Sequence, residues 1–192
     1  MTLLILGLIL FLGTHSVRIF ADDWRTRQIA RMGEGPWKGI YSLLSAAGLV
    51  LIVWGYGIAR SQPTLLWSPP VAMRHASSLL VLIAFILLAA AQVKGNRIKA
   101  RVGHPMVAGV KLWAFAHLLA NGTLNAVVLF GAFLAWAVLD FMAARRRDRR
   151  AGTVYPVGPV SRDIVTVVAG VIGYGVFAFW LHGWWIGVRP FG

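Results

Sequence analysis

Cysteine is absent from this 192-residue chain, and acidic side chains are scarce, with six Asp and Glu against nineteen Lys and Arg. Without cysteine there is no disulfide, thiolate metal site, iron–sulfur cluster or c-type haem attachment. Charge of either sign is also scarce. Only 13% of residues are charged while 58% are hydrophobic, and the mean hydropathy of +0.72 lies outside the range of soluble globular domains. No P-loop, dinucleotide fingerprint, HExxH or GxSxG motif is present, nor any internal repeat.

Six long apolar stretches fill most of the chain, at about 2–20, 39–59, 71–93, 105–120, 123–144 and 163–186. A hydrocarbon core about 30 Å thick takes roughly 20 apolar residues per helix. The expected fold is therefore all-α: a polytopic membrane helical bundle of about six transmembrane helices, forming a single domain over residues 1–192. The first stretch lacks a basic leading region and runs directly into His15, Ser16 and Arg18, which argues against a cleaved signal peptide. A polar segment, 21–38, follows it, with Trp24, Ile29 and Trp37 placed for the interface. Residues 61–70 are excluded from helix by Pro63, Pro69 and Pro70. Asn121 and Gly122 read as a tight turn.

Loop charge sets the orientation. Fifteen Lys and Arg fall in the loops after the first, third and fifth stretches, against three, Arg60, Arg74 and Arg189, on the other side. The positive-inside rule then places the fifteen in the cytoplasm and both termini in the periplasm of a bacterial inner membrane. A formal charge of +13 in a soluble protein would suggest nucleic acid. In short inter-span loops it serves topology and lipid head groups instead, so the bilayer is the expected partner and nucleic acid is not.

Orientation gives each of the five histidines a depth. His15 and His104 lie towards the cytoplasmic side, whereas His75, His117 and His182 lie towards the outer side. His104 and His117 are separated on one helix by about 20 Å of rise and cannot ligate the same metal. A bis-histidine site therefore pairs residues of matching depth on different helices, as His15 and His104 do. Each imidazole also has a bland reading, snorkelling to the interface or bridging two helices. Lys111 shares a helix face with His104, and Asp140 is the single acid in the interior of a span. The two could pair and hold neighbouring helices together. Alternatively, Lys111 engages an anionic group such as a haem propionate while Asp140 orients a ligand imidazole through its second nitrogen. Trp54, Trp67, Trp180, Trp184 and Trp185 suit an outer aromatic belt. The glycines of Gly55-Tyr56-Gly57 and of Gly170, Gly173 and Gly175 suit close helix approach, or a flat slot for a macrocycle or polyene.

Three blocks resemble the NnrU family of bacterial membrane proteins: LFLGTHSVRIF ending at Phe20, GEGPWKGIYSLLSAAGLVLIVWGYGIAR over 33–60, and GHPMVAGVKLWAFAHLLANG over 103–122. The resemblance is strongest over residues 1–140. It implies a link to denitrification, in nitrite and nitric oxide reduction. The family is in turn similar to the 15-cis-zeta-carotene isomerase of plastids and cyanobacteria, a membrane enzyme using haem b with histidine ligation. The resemblance thus implies haem b as cofactor, with Thr14-His15-Ser16 and His104-Pro105 at the positions of its histidine motifs and His117 as an alternative ligand. Gly103 stands where many relatives carry arginine.

Other readings compete. A haem-dependent polyene isomerase would need the iron to release a histidine. A non-catalytic accessory or assembly factor of a respiratory or denitrification membrane complex needs no cofactor. The histidine–proline pair also resembles the RHPxY motif of membrane methyltransferases, but Gly103 and Val107 replace its arginine and tyrosine.

Overall fold

The computed structural model describes residues 1–191, which form eight α-helices with no strand among the described residues. The chain divides into two compact units, one of Met1–Ser68 with Asn121–Asp140, the other of Pro69–Ala120 with the chain from Phe141 onward.

In the first unit, α1 (Thr2–Phe20) and α3 (Glu34–Ser61) pack antiparallel. Their closeness rests on three glycines. A Cβ on Gly7 would stand 2.6 Å from the Ile52 nitrogen, one on Gly48 2.8 Å from the Phe11 nitrogen, and one on Gly55 would fall on the Leu4 backbone. In lipid there is little hydrophobic drive between helices, so such close backbone approach supplies the packing that holds them. Gly57 has open space around it and takes no part.

The polar segment between α1 and α3 is itself helical. α2 (Asp22–Met32) starts with Asp22 and Asp23 at its positive end and finishes with Arg31 at its negative one. It had no apolar run to reveal it. Trp24 on α2 meets Trp37 on α3 edge to face at 5.8 Å. α3 begins at Glu34, earlier than the apolar pattern suggested, because Pro36 is tolerated in a first turn.

The proline-rich stretch after α3 is non-helical as expected, and its backbone groups are paired. Leu66 and Trp67 donate to the Gly122 carbonyl at 2.8 and 3.2 Å, and Leu124 donates to the Thr64 carbonyl at 2.9 Å. Non-helical backbone in an apolar setting requires such partners. Gly122 is needed here because a Cβ would fall on the Trp67 carbonyl. The helix that follows, α7 (Leu124–Ala151), contributes its first half to this unit.

In the second unit, α4 (Val71–Gln92) packs against both α6 (Pro105–Ala120) and α8 (Val160–Val176). Gly170 of α8 lies against Ile86, where a Cβ would be 2.6 Å from its Cα, and Gly109 of α6 lies against the Ala84 carbonyl. Gly173 meets only the Phe85 ring, and Gly175 has open space. Buried Asn96 joins α4 to the short helix α5 (Arg97–Val102). Its amide nitrogen donates to the Ala90 carbonyl at 2.8 Å, and its oxygen caps the Lys99 N–H at 2.7 Å. One side chain thus satisfies the end of one helix and the start of the next.

α8 continues as a π-helical segment, Phe177–Ile186, with Trp180, Trp184 and Trp185 exposed. Exposed tryptophans at the end of a span suit a membrane interface. α1, α3, α4, α7 and α8 with its continuation are long and apolar enough to cross a membrane. α6 keeps the expected bounds, but its sixteen residues rise only about 24 Å, less than the roughly 30 Å of a hydrocarbon core.

Candidate functional site

The first unit holds His15, and the second holds His104 and the alternative His117. In the first unit the hydroxyls of Thr14 and Ser16 donate to the Leu10 and Leu12 carbonyls of their own helix, each at 2.6 Å. His15 Nδ1 lies 2.7 Å from the Phe11 carbonyl. A carbonyl only accepts, so Nδ1 carries the proton and the neutral ring keeps its lone pair on Nε2. That nitrogen has no hydrogen-bond partner among the described residues. The ring stacks on Phe11 at 4.2 Å, with Tyr41 at 5.1 Å and the edge of Trp136 at 6.0 Å. Trp136 Nε1 is buried without an acceptor among the described residues. A buried indole N–H normally finds one, so an acceptor beside His15 would remove the cost. Asp140 acts electrostatically on the Tyr41 phenol.

In the second unit His104 opens α6, its carbonyl accepting from Ala108 N at 3.1 Å and Pro105 occupying the first helical position. Its Nε2 donates to Asp148 Oδ2 at 2.8 Å. Tyr155 OH donates to the same oxygen at 2.9 Å. The turn that delivers Tyr155 closes through Thr153 N on the Asp148 carbonyl at 3.0 Å, with Gly152 at φ +60. Partial burial and the Asp148 carboxylate hold the Tyr155 phenol protonated above its usual range, against the opposing pull of Arg145.

Gly103 precedes this cluster at φ +78, and a Cβ there would stand 2.8 Å from Arg145 Nη1 and 3.4 Å from the Tyr155 ring. The absence of arginine at 103 therefore has a structural reason: another guanidinium fills that space. The arginine and tyrosine lacking from the sequence around His104 stand beside it in space, as Arg145 and Tyr155.

Lys111 Nζ sits 4.7 Å above the Phe141 ring, a cation–π contact, and the same ring presents an edge to His104 at 6.4 Å. Both α6 residues thus face Phe141, as their seven-residue spacing implied. The carboxylate that orients His104 is Asp148, whereas Asp140 lies in the first unit. Asp148 escaped the sequence reading because it sits alone in the arginine run Arg145–Arg150, where every residue reads as topology. Nothing in the spacing links it to a histidine more than forty residues earlier.

The other histidines have local contacts. His117 Nδ1 donates to the Trp113 carbonyl at 2.9 Å, and His182 Nδ1 to the Val188 carbonyl at 2.6 Å. His75 is exposed. Among the described residues no three His, Cys, Asp or Glu gather as a metal site. Axial ligation of a haem asks for no such group, only an imidazole or two.

Truncating the His104 cluster should be measurable as stability. Asp148→Ala removes a charge-assisted bond and strands two donors, so thermal unfolding in detergent should show a loss of about 1.5–3 kcal/mol. Tyr155→Phe should cost about 1 kcal/mol. Equal stability of Asp148→Ala and the unmodified protein would mean that the cluster contributes nothing to the fold.

The family model described as NnrU protein matches residues 3–190, and so continues through the last fifty residues, beyond the three motif blocks. Compared with curated proteins and with solved structures, the chain has no match.

Proposed function

From the premise that this chain belongs to the NnrU family, we propose that it is a haem-b-binding protein of the bacterial inner membrane, acting in or beside nitrite and nitric oxide reduction, with His15 as a residue that would hold the iron. The observation that carries this reading is the state of His15. Its Nδ1–H is committed to the Phe11 carbonyl, and its Nε2 lone pair has no partner among the described residues. Metal-ligating histidines are commonly fixed in this way, with one nitrogen held by a carbonyl or carboxylate so that the other presents its lone pair. The aromatic enclosure and the unpartnered Trp136 N–H support the same place, because they fit a flat apolar group carrying an acceptor. Bound there, haem would supply one-electron redox chemistry.

His104 is the second ligand expected from the sequence. Its Nε2 is committed to Asp148, so it would offer Nδ1. The part of the chain's own residues is then to orient imidazoles, Phe11 for His15 and Asp148 for His104. Lys111, held over Phe141, is a cation available to a propionate. Oxidised and dithionite-reduced absorption spectra of the purified protein test the reading. A low-spin haem b spectrum is the expected result, and a colourless, folded protein would favour the accessory-factor reading.

The proposed orientation places both termini in the periplasm, on the asymmetry of fifteen against three loop cations. Alkaline phosphatase fused after Gly192 should be active and green fluorescent protein dark. The reverse would overturn the orientation and the depth argument with it.

A further inference from the structure

The second unit carries a groove that this reading does not use. Phe141, Met142, Arg145, Arg146 and Arg149 line a cavity of about 350 Å³. Spacings of three and four residues put all five on one face of α7. The two apolar residues continue the spanning part of the helix, and Met142 is exposed. The three guanidiniums follow within the next two turns.

Like charges at these spacings repel one another, and an anion among them relieves the repulsion. Asp148, the one acid in the run, is engaged by His104 and Tyr155. None of the ion pairs found among the described residues includes Arg145, Arg146 or Arg149. The groove therefore combines an apolar floor with guanidiniums that stand in none of these ion pairs, at the end of a membrane-length helix. An ordinary soluble anion would leave that floor unused.

We propose that the groove seats one anionic phospholipid, its phosphate bridged by the Arg146 and Arg149 guanidiniums and an acyl chain lying along Phe141 and Met142. Arginine suits this task because its planar fork matches two phosphate oxygens at once. A zwitterionic head group carries the same phosphate, but its ammonium is repelled by the cluster, so charge sets the preference.

Native mass spectrometry of the full-length protein in neutral detergent tests this, with phosphatidylglycerol or phosphatidylcholine of identical acyl chains added. Phosphatidylglycerol should bind at least about tenfold more tightly, since each arginine near a head group contributes substantially. Arg146→Gln with Arg149→Gln should reduce it to the phosphatidylcholine level. Arg25→Gln with Arg27→Gln removes the same charge from α2 and should leave the preference intact. Should the groove variant fail to fold, Met142→Glu reads the same site by placing a carboxylate in its floor, and it too should weaken phosphatidylglycerol binding. Equal binding of the two lipids by the unmodified protein, an unchanged preference in the groove variants, or an equal loss in the α2 control would each overturn the proposal.

Discussion

Replacing His15 by alanine should remove the low-spin haem spectrum, leaving either a high-spin iron or a colourless protein. The imidazole presents its Nε2 lone pair within an otherwise aromatic surround, so the variant removes the ligand assigned here. His104→Ala should also convert the iron to high spin if it supplies the second ligand, whereas His75→Ala and His182→Ala should leave the spectrum alone. His117→Ala discriminates, since about 20 Å of helix separates it from His104. If His117→Ala abolishes the spectrum and His104→Ala does not, the ligand set lies on the outer side. An unaltered spectrum in His15→Ala would end the assignment of that residue. Size-exclusion profiles separate loss of ligand from loss of fold.

The second large effect is expected from a single methyl group. Gly55→Ala should destabilise the protein by about 1–3 kcal/mol, because the added carbon falls on the Leu4 backbone and α1 must move away. Gly57→Ala, two residues on, meets nothing within 4 Å and should be neutral or stabilising by about 0.5–1 kcal/mol, as expected where alanine replaces a helical glycine. The two variants are matched in chemistry and differ in which face of α3 they occupy. Unfolding in a mixed-detergent titration reads both. A similar response from the two would mean that the α1–α3 contact does not depend on glycine.

The same pair shows what was legible in the sequence. Glycine-rich spans advertise close packing, but composition cannot tell Gly55, which is needed, from Gly57, which is not. Helix ends were readable where chemistry punctuates them. α1 ends where apolar residues give way to Asp22, and α6 is bounded by Gly103-His104-Pro105 and Asn121-Gly122. α2 was invisible because its helicity has no apolar signature, and nothing in FAFWLHGWWI marks the change to wider π turns.

At the sites, hydropathy assigns depth along a helix but not the neighbours across it. His15 stands out in the sequence as a polar residue inside an apolar run, but its company of Phe11, Tyr41 and Trp136 is set by packing. Asn125 was missed altogether, although it is 1% exposed. An asparagine after a turn reads as surface until the fold buries it.

The division of the chain has a consequence for the order in which it can be made. The first unit is built from two stretches, with the intervening residues 69–120 given over to the second. A ribosome delivers α4, α5 and α6 to the membrane before it delivers residues 121–140. Until then α1 and α3 have each other but lack Trp136, and the non-helical strip at 62–70 lacks Gly122 and Leu124 to take up its hydrogen bonds. Unpaired backbone in lipid is costly, so this strip must wait in water or at the interface during synthesis. A nascent chain arrested just after Ala120 should therefore leave 62–70 open to protease, and release of the arrest should close it.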